Sequence, residues 1–334
     1  MNEENSNFNF QIESEDVGKR LDAFLAEKIE DWSRARLQRL IDGGDVLVNQ
    51  KDAKSSYKLR SADEIEVELT APIVETVEAE NIPLDVVYED EHLIVINKQA
   101  GLIVHAGIGV RNGTLVNALM YHFQIQNSKF KIQNDLWNAD KDQRPKTKDQ
   151  YRAGIVHRLD KNTSGLIVVA KTEATHETLS QQFHDRQVYK SYVALVHGSV
   201  RREGGKIEEK IGRDKWNRMK MSVAKNGRNA LSLWNVRRRF EKFTLLDVEI
   251  KTGRTHQIRV HLAFLNHPVV GDETYNEGRD NTIADVKIRK AIQDLNRFFL
   301  HAEKLSFTHP KTKEKMDFHA PLPQELANLL EIIQ

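Results

Sequence analysis

The chain has 334 residues, 39% of them hydrophobic, and no cysteine, which is enough apolar material for more than one domain and excludes disulfides, thiol nucleophiles and cysteine-based zinc sites. No apolar run approaches the roughly eighteen residues of a membrane span, and the polar start MNEENSNFNF lacks the apolar core of a signal peptide, so a soluble, cytoplasmic protein is expected. The net charge of +1 hides an asymmetry: residues 1–91 hold 10 Lys/Arg against 23 Asp/Glu, and the rest of the chain 40 against 26, so the large C-terminal part is basic and suits a polyanion such as nucleic acid.

Residues 1–10 are polar and read as a disordered tail. From Gln11 the pattern is structured. Arg20, Leu21, Phe24 and Leu25 have helical spacing. Ser33 stands as an N-cap before a second helix, Arg34 to Ile41, with Leu37, Leu40 and Ile41 on one face and Arg36 and Arg39 on another. Val46–Val48 and the alternating Asp63–Leu69 read as strands. Residues 11–70 are therefore expected to form a small α+β unit with Arg34, Arg36 and Arg39 on one helix. The acidic, aperiodic stretch 71–82 contains Pro72 and reads as a linker. A larger domain is expected over 83–334.

That domain opens with a hairpin, Val86–Tyr88 and Leu93–Ile96, which runs into Asn97–His105. Leu115–Phe123 has the spacing of a core helix. Residues 124–151 are polar and dotted with lysines, a composition that predicts a mobile insertion. The next stretch, Gly154 to Thr172, reads GIVHRLDKNTSGLIVVAKT. It sets one carboxylate, Asp160, between two apolar runs, where a loop meets the buried strand Leu166–Ala170. Arg158 and Lys161 flank this acid, and nearby positive charge favours the ionised carboxylate that a nucleophile or electrostatic stabiliser needs. A surface turn with an ordinary salt bridge would explain the segment alone equally well.

A helix is expected over Glu173–Phe183 and a strand over Val188–Val196, in which Lys190 and Tyr192 share one side. Residues 201–239 are the most basic region, with Arg213, Arg218, Lys220 and Arg237 to Arg239 interleaved with Trp216 and Met219, a composition suited to a phosphate backbone and its bases. Phe243–Ile250 alternates as a strand, and a helix or turn begins within Thr252–Leu262. Closing strands over Phe298–Ala302 and Leu305–Phe307 precede a final helix carrying Leu326, Leu329, Leu330 and Ile333. Short alternating strands interspersed with helices give an α+β class.

HRLD followed by a Thr-Ser-Gly turn resembles the second motif of the RluA/RluD family of RNA pseudouridine synthases. The resemblance extends from about Arg20 to Pro323. It implies that Asp160 is catalytic, that the tyrosine of the K-x-Y-x-A strand, Tyr192, lies against the target base, and that Arg259, in GRTHQIRVHL with HPVVGDETY beyond it, pairs with Asp160. Asn97 to His105 resembles the family's first motif, although Gln99 and Ala106 stand where proline is usual. His157, Arg158, Leu159, Lys190, Ile258, Arg254, Asn97 and Lys98 are the implied substrate-binding residues. RLDAFL, SRARLQRLI, VLVN and DEIEV resemble the alpha-L RNA-binding module that many such synthases carry in front of a mixed, largely antiparallel sheet; on that resemblance Arg34, Arg36 and Arg39 are the RNA-binding candidates of this unit, with Lys54 and Lys58 as additions.

The expected activity is isomerisation of a flipped-out uridine in RNA by a monomer needing neither cofactor nor metal. Large-subunit (23S) ribosomal RNA is the first expectation for the substrate and transfer RNA the second. Two other readings compete. A metal-dependent phosphodiesterase would use His157, Asp160, His256, His261 and Asp272 as ligands, and a ribosome assembly factor would bind RNA without catalysis. Sensitivity to chelators separates the first, and an intact Asp160, Tyr192 and Arg259 set argues against the second.

Overall fold

The computed structural model describes residues 6–29, 34, 37–38, 41, 44, 46–69, 78–105, 112–130, 154–217 and 220–334. The chain divides into two units, Met1–Thr76 and Val77–Gln334.

In the first unit, β1 (Ser6–Gln11), α1 (Leu21–Lys28), β2 (Val46–Val48), β3 (Lys51–Asp52) and β4 (Glu64–Leu69) give an antiparallel sheet in the order β1-β4-β2-β3. The disordered tail expected over 1–10 is corrected from Ser6 onward: alternating Phe8 and Phe10 let that segment pair with β4, from Ser6 opposite Leu69 to Gln11 opposite Glu64. Asn49 and Gln50 both have positive φ, 51° and 62°, the conformation of the two-residue turn whose twist suits a hairpin between β2 and β3. Leu21, Phe24 and Leu25 of α1 close the core over Val46, Val48, Ile65 and Val67. Arg34, Leu37, Gln38 and Ile41 are helical. The expected cap Ser33, and Arg36 and Arg39, lie outside the described residues.

In the second unit, residues expected at the end of the linker are already part of the fold. The Asn117 side chain donates to the Glu78 carbonyl, Glu80 accepts from the Gly113 N–H, and Ile82 packs on the core. The rest of the expected linker, 71–77, lies outside the described residues. Next come β5 (Val86–Glu89), β6 (Leu93–Lys98), α2 (Leu115–Phe130), β7 (Ser164–Ala170), α3 (Glu173–His184) and β8 (Tyr189–His197). They are followed by β9 (Gly204–Ile207), β10 (Ile211–Arg213), β11 (Met221–Val223), β12 (Ser232–Arg239), β13 (Phe243–Ile250) and α4 (Gln257–Phe264). The chain closes with α5 (Val286–Asp294), β14 (Leu300–Thr308), β15 (Lys315–His319) and α6 (Gln324–Ile332). Helix α2 runs seven residues past the expected Phe123, so the start of the expected insertion is helical; 131–151 lie outside the described residues. Helix α5, capped by the Asp285 side chain, escaped sequence reading because its apolar face has only a few residues.

One nine-stranded sheet organises this unit in the order β5-β6-β7-β14-β8-β13-β12-β9, with β15 also on β14. It is mixed and largely antiparallel: among the described pairs only β14 and β7 run parallel, through His301 opposite Ser164 and Ala302 opposite Gly165. Every residue of β7 is buried, because helices cover both faces of the sheet there. Ile167 and Val169 pack with Leu115, Leu119 and Phe123 of α2. Leu166, Val168 and Ala170 pack with Leu179 of α3 and with Leu305 and Phe307.

Two glycines pin the loop between Gly154 and β7. Gly154, at φ +70°, passes so near Ala170 that an added Cβ would lie 2.0 Å from its carbonyl oxygen; at Gly165, φ +112°, it would lie 2.3 Å from the Ala302 oxygen. Only glycine fits such a backbone at such a distance. Gly165→Ala is expected to cost about 3 kcal/mol or more through combined strain and overlap, read as a lower urea midpoint for the second unit with an unchanged m-value.

Candidate active site

The loop between those glycines alternates its side chains inward and outward. His157 is drawn in: its Nε2 accepts the Val168 N–H at 3.0 Å and its ring stacks on Phe183 with centroids 4.6 Å apart. Burial, with Lys190 nearby, pushes its pKa down to about 3, so the ring is neutral and serves as an anchor for the loop. Arg158 is exposed, and Leu159 is buried in the main core. A turn closed by the Thr163 N–H on the Asp160 carbonyl follows.

That turn is clasped by the segment after β6. Lys98, almost wholly buried, donates through Nζ to the carbonyls of Gln99 and Leu102, each at 2.8 Å, and of Lys161 at 3.1 Å; the Gly101 N–H adds a second bond to Lys161 at 2.9 Å. Burial first, then Arg297, push Lys98 down to about 7 against the pull of Asp160. Asn97, one residue earlier, faces the other way and donates to Asp85 at 2.8 Å.

Helix α4 brings the arginine. Its N-cap, His256, is left-handed at φ 56°, and Gln257 ties this end to β12 by donating to the Leu231 carbonyl and accepting from Thr252. Arg259 then points inward with its side chain only 6% exposed. Its Nε and Nη2 grip Asp272 at 2.7 and 2.8 Å, and Nη1 reaches Asp160 at 3.2 Å. The guanidinium also packs on the rings of Phe298 and Tyr275, 4.2 and 5.0 Å from their centroids. Burial opposes its charge, but the bonds to Asp272 and the field of Asp160 outweigh this and raise its pKa. The expected pairing of Arg259 with Asp160 is thus present in the geometry, as a single bond.

Sequence reading placed Asp272 only among the ligands of the competing metal reading and missed its pairing with Arg259. Its carboxylate is 1% exposed and takes the two-pronged bond that fixes the guanidinium plane. The signal was visible as the acid of the GDETY turn after α4, but no spacing rule links it to Arg259. Asp160 is the more open acid, at 19%. Tyr192 of β8 is buried nearby, opposite Val248; burial and the Asp160 charge both raise its pKa, so its hydroxyl keeps its proton.

Other expected residues sit farther out. Lys190 is half-buried with its ammonium 5.2 Å from the Phe183 centroid, and burial and Lys251 push it down to about 8. Ile258 is buried, and Arg254 donates to the Asn229 carbonyl at 3.1 Å. Of the basic candidates, Arg34 is held on the buried Asp22 together with Arg20 and Gln38. Arg213 is exposed on β10, while Lys220 is spent on the Thr274 carbonyl at 2.7 Å. Arg218 lies outside the described residues.

A family model described as RNA pseudouridylate synthase matches residues 92–264, and an S4 domain model matches residues 19–65. The chain belongs to the RNA pseudouridylate synthase family. This synthase is 40% identical over 317 residues, 95% of each chain, to an uncharacterized RNA pseudouridine synthase, YlyB, of Bacillus subtilis. It is 37% identical over 325 residues, 97% of this chain and 93% of the relative, to the ribosomal large subunit pseudouridine synthase D of Vibrio parahaemolyticus. Among solved structures it resembles human RNA pseudouridylate synthase domain containing 1, with a TM-score of 0.52 and 25% identity over 75% of this chain and 89% of that one. It is an isomerase acting on RNA, with an N-terminal S4 domain.

The competing metal reading finds no support in the placement of its ligands. His261 is committed to Ser232 and the Glu209 carbonyl, and His256 to the Tyr275 hydroxyl. Among the described residues no group of three or more His, Asp or Glu is placed so that it could hold a metal ion.

Two outcomes follow for the synthase. Asp272→Ala leaves the buried Arg259 with Asp160 as its only carboxylate and is expected to destabilise the second unit by about 3 kcal/mol; calorimetry of the variant checks it. For Lys98, the folded pKa of about 7 lies below the roughly 10.4 of an unfolded lysine. Below pH 7 both states hold the proton and the penalty for burying the charge is complete. Between pH 7 and 10 only the unfolded state keeps it, so stability contributed through this group rises with pH. The unfolding free energy of wild type minus that of Lys98→Met should therefore climb over this window, by up to about 1.4 kcal/mol per pH unit; a flat difference contradicts the assignment.

Proposed function

We propose that this synthase converts uridine to pseudouridine in large-subunit (23S) ribosomal RNA, with Asp160 as the reactive carboxylate. The observation that carries this reading is the division of labour around Arg259: Asp272 is buried and fixes the guanidinium, whereas Asp160 is the open acid and shares only one of its nitrogens. The substrate class follows the relatives named ribosomal large subunit pseudouridine synthase D.

The reaction breaks the bond between uracil N1 and ribose C1′, turns the base, and joins C5 to C1′; the C5 proton leaves, and N1 ends protonated. Nothing is oxidised and no outside group is consumed. The base must leave the RNA stack to be reached. In this reading the flipped uracil lies against Tyr192, whose neutral hydroxyl adds no charge beside Asp160. Arg259, itself buried and fixed by Asp272, aims Asp160 through its one bond to it. Arg158, exposed two residues before Asp160, faces the RNA, and the S4 domain supplies a second RNA-binding surface.

Asp160→Asn keeps the shape of the side chain and removes its charge. Tritium release from C5-labelled uridine in a large-subunit RNA transcript is expected to fall at least about 100-fold, while RNA affinity stays within about two-fold. Substantial release by the variant would remove Asp160 from the chemistry. Cells lacking the protein should lose pseudouridine at positions within large-subunit RNA; loss confined to transfer RNA would refute the substrate assignment.

A further inference from the structure

The short hairpin β10–β11 carries a feature that the catalytic reading leaves unused. At its tip Trp216 is 95% exposed, whereas Trp234 in β12 is 6% exposed. An indole left almost wholly in water gains nothing for folding, and such residues mark binding surfaces.

The tip is built to present this ring. Asp214 accepts the backbone N–H groups of Trp216 and Asn217 through one carboxylate oxygen, each at 2.9 Å. The Asp214 N–H donates to the Lys220 carbonyl at 3.0 Å, and the Lys220 N–H to the Asn217 carbonyl at 2.9 Å. Those two N–H groups also hold the Asp214 carboxyl below its usual range, so the one acid at the tip is engaged by the turn itself.

The hairpin is fastened to the wall of the active site. Lys220 donates to the Thr274 carbonyl, and the Met221 N–H donates to the Tyr275 hydroxyl at 3.0 Å. Met221 and Val223 pack with Tyr275 and with Val260 of α4. A group held by Trp216 is therefore held at a fixed station relative to Tyr275 and Arg259.

We propose that Trp216 is a stacking platform for an unpaired base of the substrate RNA, which sets the register in which the target uridine reaches Asp160. This deepens the RNA isomerase reading and rests on it. The surroundings of the ring select the partner. Lys215, next to it in sequence, is exposed and suits a phosphate, and base stacking on an aromatic ring flanked by positive charge is how single strands are held. Lys215 and Asn217, the neighbours of Trp216 in sequence, are polar and exposed, a setting that favours a nucleic acid over an apolar protein or lipid surface.

The test uses the full chain in the Asp160→Asn background, with fluorescently labelled dodecauridylate and a twelve-base-pair RNA duplex at one fixed salt concentration. Trp216→Ala is expected to weaken dodecauridylate binding roughly 5- to 150-fold and to leave duplex binding within about two-fold. Trp216→Tyr should restore most of the loss and Trp216→Leu should not, because stacking needs a π face. With catalytically intact protein and a large-subunit transcript, Trp216→Ala should raise KM and leave kcat little changed. The proposal is overturned if Trp216→Ala binds the single strand as tightly as its parent, if leucine rescues as well as tyrosine, if strand and duplex weaken alike, or if the substitution instead abolishes self-association. Tritium release by wild type reports separately on the isomerase reading, so failure of one is distinguishable from failure of the other.

Discussion

The catalytic unit is arranged around a buried guanidinium that serves two acids. An arginine with its side chain 6% exposed is tolerable only with its donors occupied, and Asp272 takes the two that face it as a fork. The rings of Phe298 and Tyr275 pack against the guanidinium, which limits the water that can reach it. With those positions fixed, the remaining nitrogen has one direction in which to point, and Asp160 lies there. The geometry of the open acid is inherited from the closed one.

Bringing Asp160 to that nitrogen requires joining segments that are far apart in sequence, and the sheet does it by local means. The parallel contact between β14 and β7 sets Gly165 against Ala302, fixing where the loop must end. Antiparallel pairing of β6 with β7 carries Lys98 to a position opposite Gly165, from which its ammonium reaches the turn after Asp160. A lysine bonded to three carbonyls acts as a clasp, and burial is what gives it that role: an exposed ammonium would prefer water. Arg297 makes a similar tie from below, donating to the Ser164 hydroxyl and the Leu300 carbonyl, each at 2.9 Å, and so joining the first residues of the same two strands.

Much of this was legible in the sequence because it is written in local pattern. The all-apolar run Leu166–Ala170 specified a strand covered on both faces, and alternation specified β13. The HRLD and GRTHQIRVHL motifs pointed to Asp160 and Arg259 through resemblance, and the structure brings the two side chains together. What escaped was non-local. Asp272 owes its function to a pairing thirteen residues away across a turn, and no periodicity encodes that. The polar N-terminal segment became a strand because a partner, β4, was available; composition measures only what a segment can do alone. Asn97 and Lys98 looked equivalent in the first motif, but strand alternation sends one to Asp85 and the other to the turn that follows Asp160. Similarly, counting lysines and arginines in the basic region could not reveal that Lys220 is consumed in anchoring a hairpin.

The distribution of cations makes physical sense for a site that must receive a polyanion without trapping it. Arg259 is neutralised by two carboxylates, Lys98 is wrapped in carbonyls, and Arg297 bonds to Glu325 as well as to Ser164. Their charges orient the protein and leave little for the RNA. Burial lowers the pKa of Lys98, Lys190 and Arg297 alike, so a deeper site with more unpaired cations would destabilise the fold or lose their protons. The attraction that gathers RNA must then come from the rim and surface, where the excess of lysine and arginine lies and where water and salt keep each contact weak and reversible. Such contacts carry no information about which uridine is presented. Selection therefore falls to rigid features that touch bases, and the anchored hairpin with its exposed tryptophan is one whose position is tied through Tyr275 to the same guanidinium that aims Asp160.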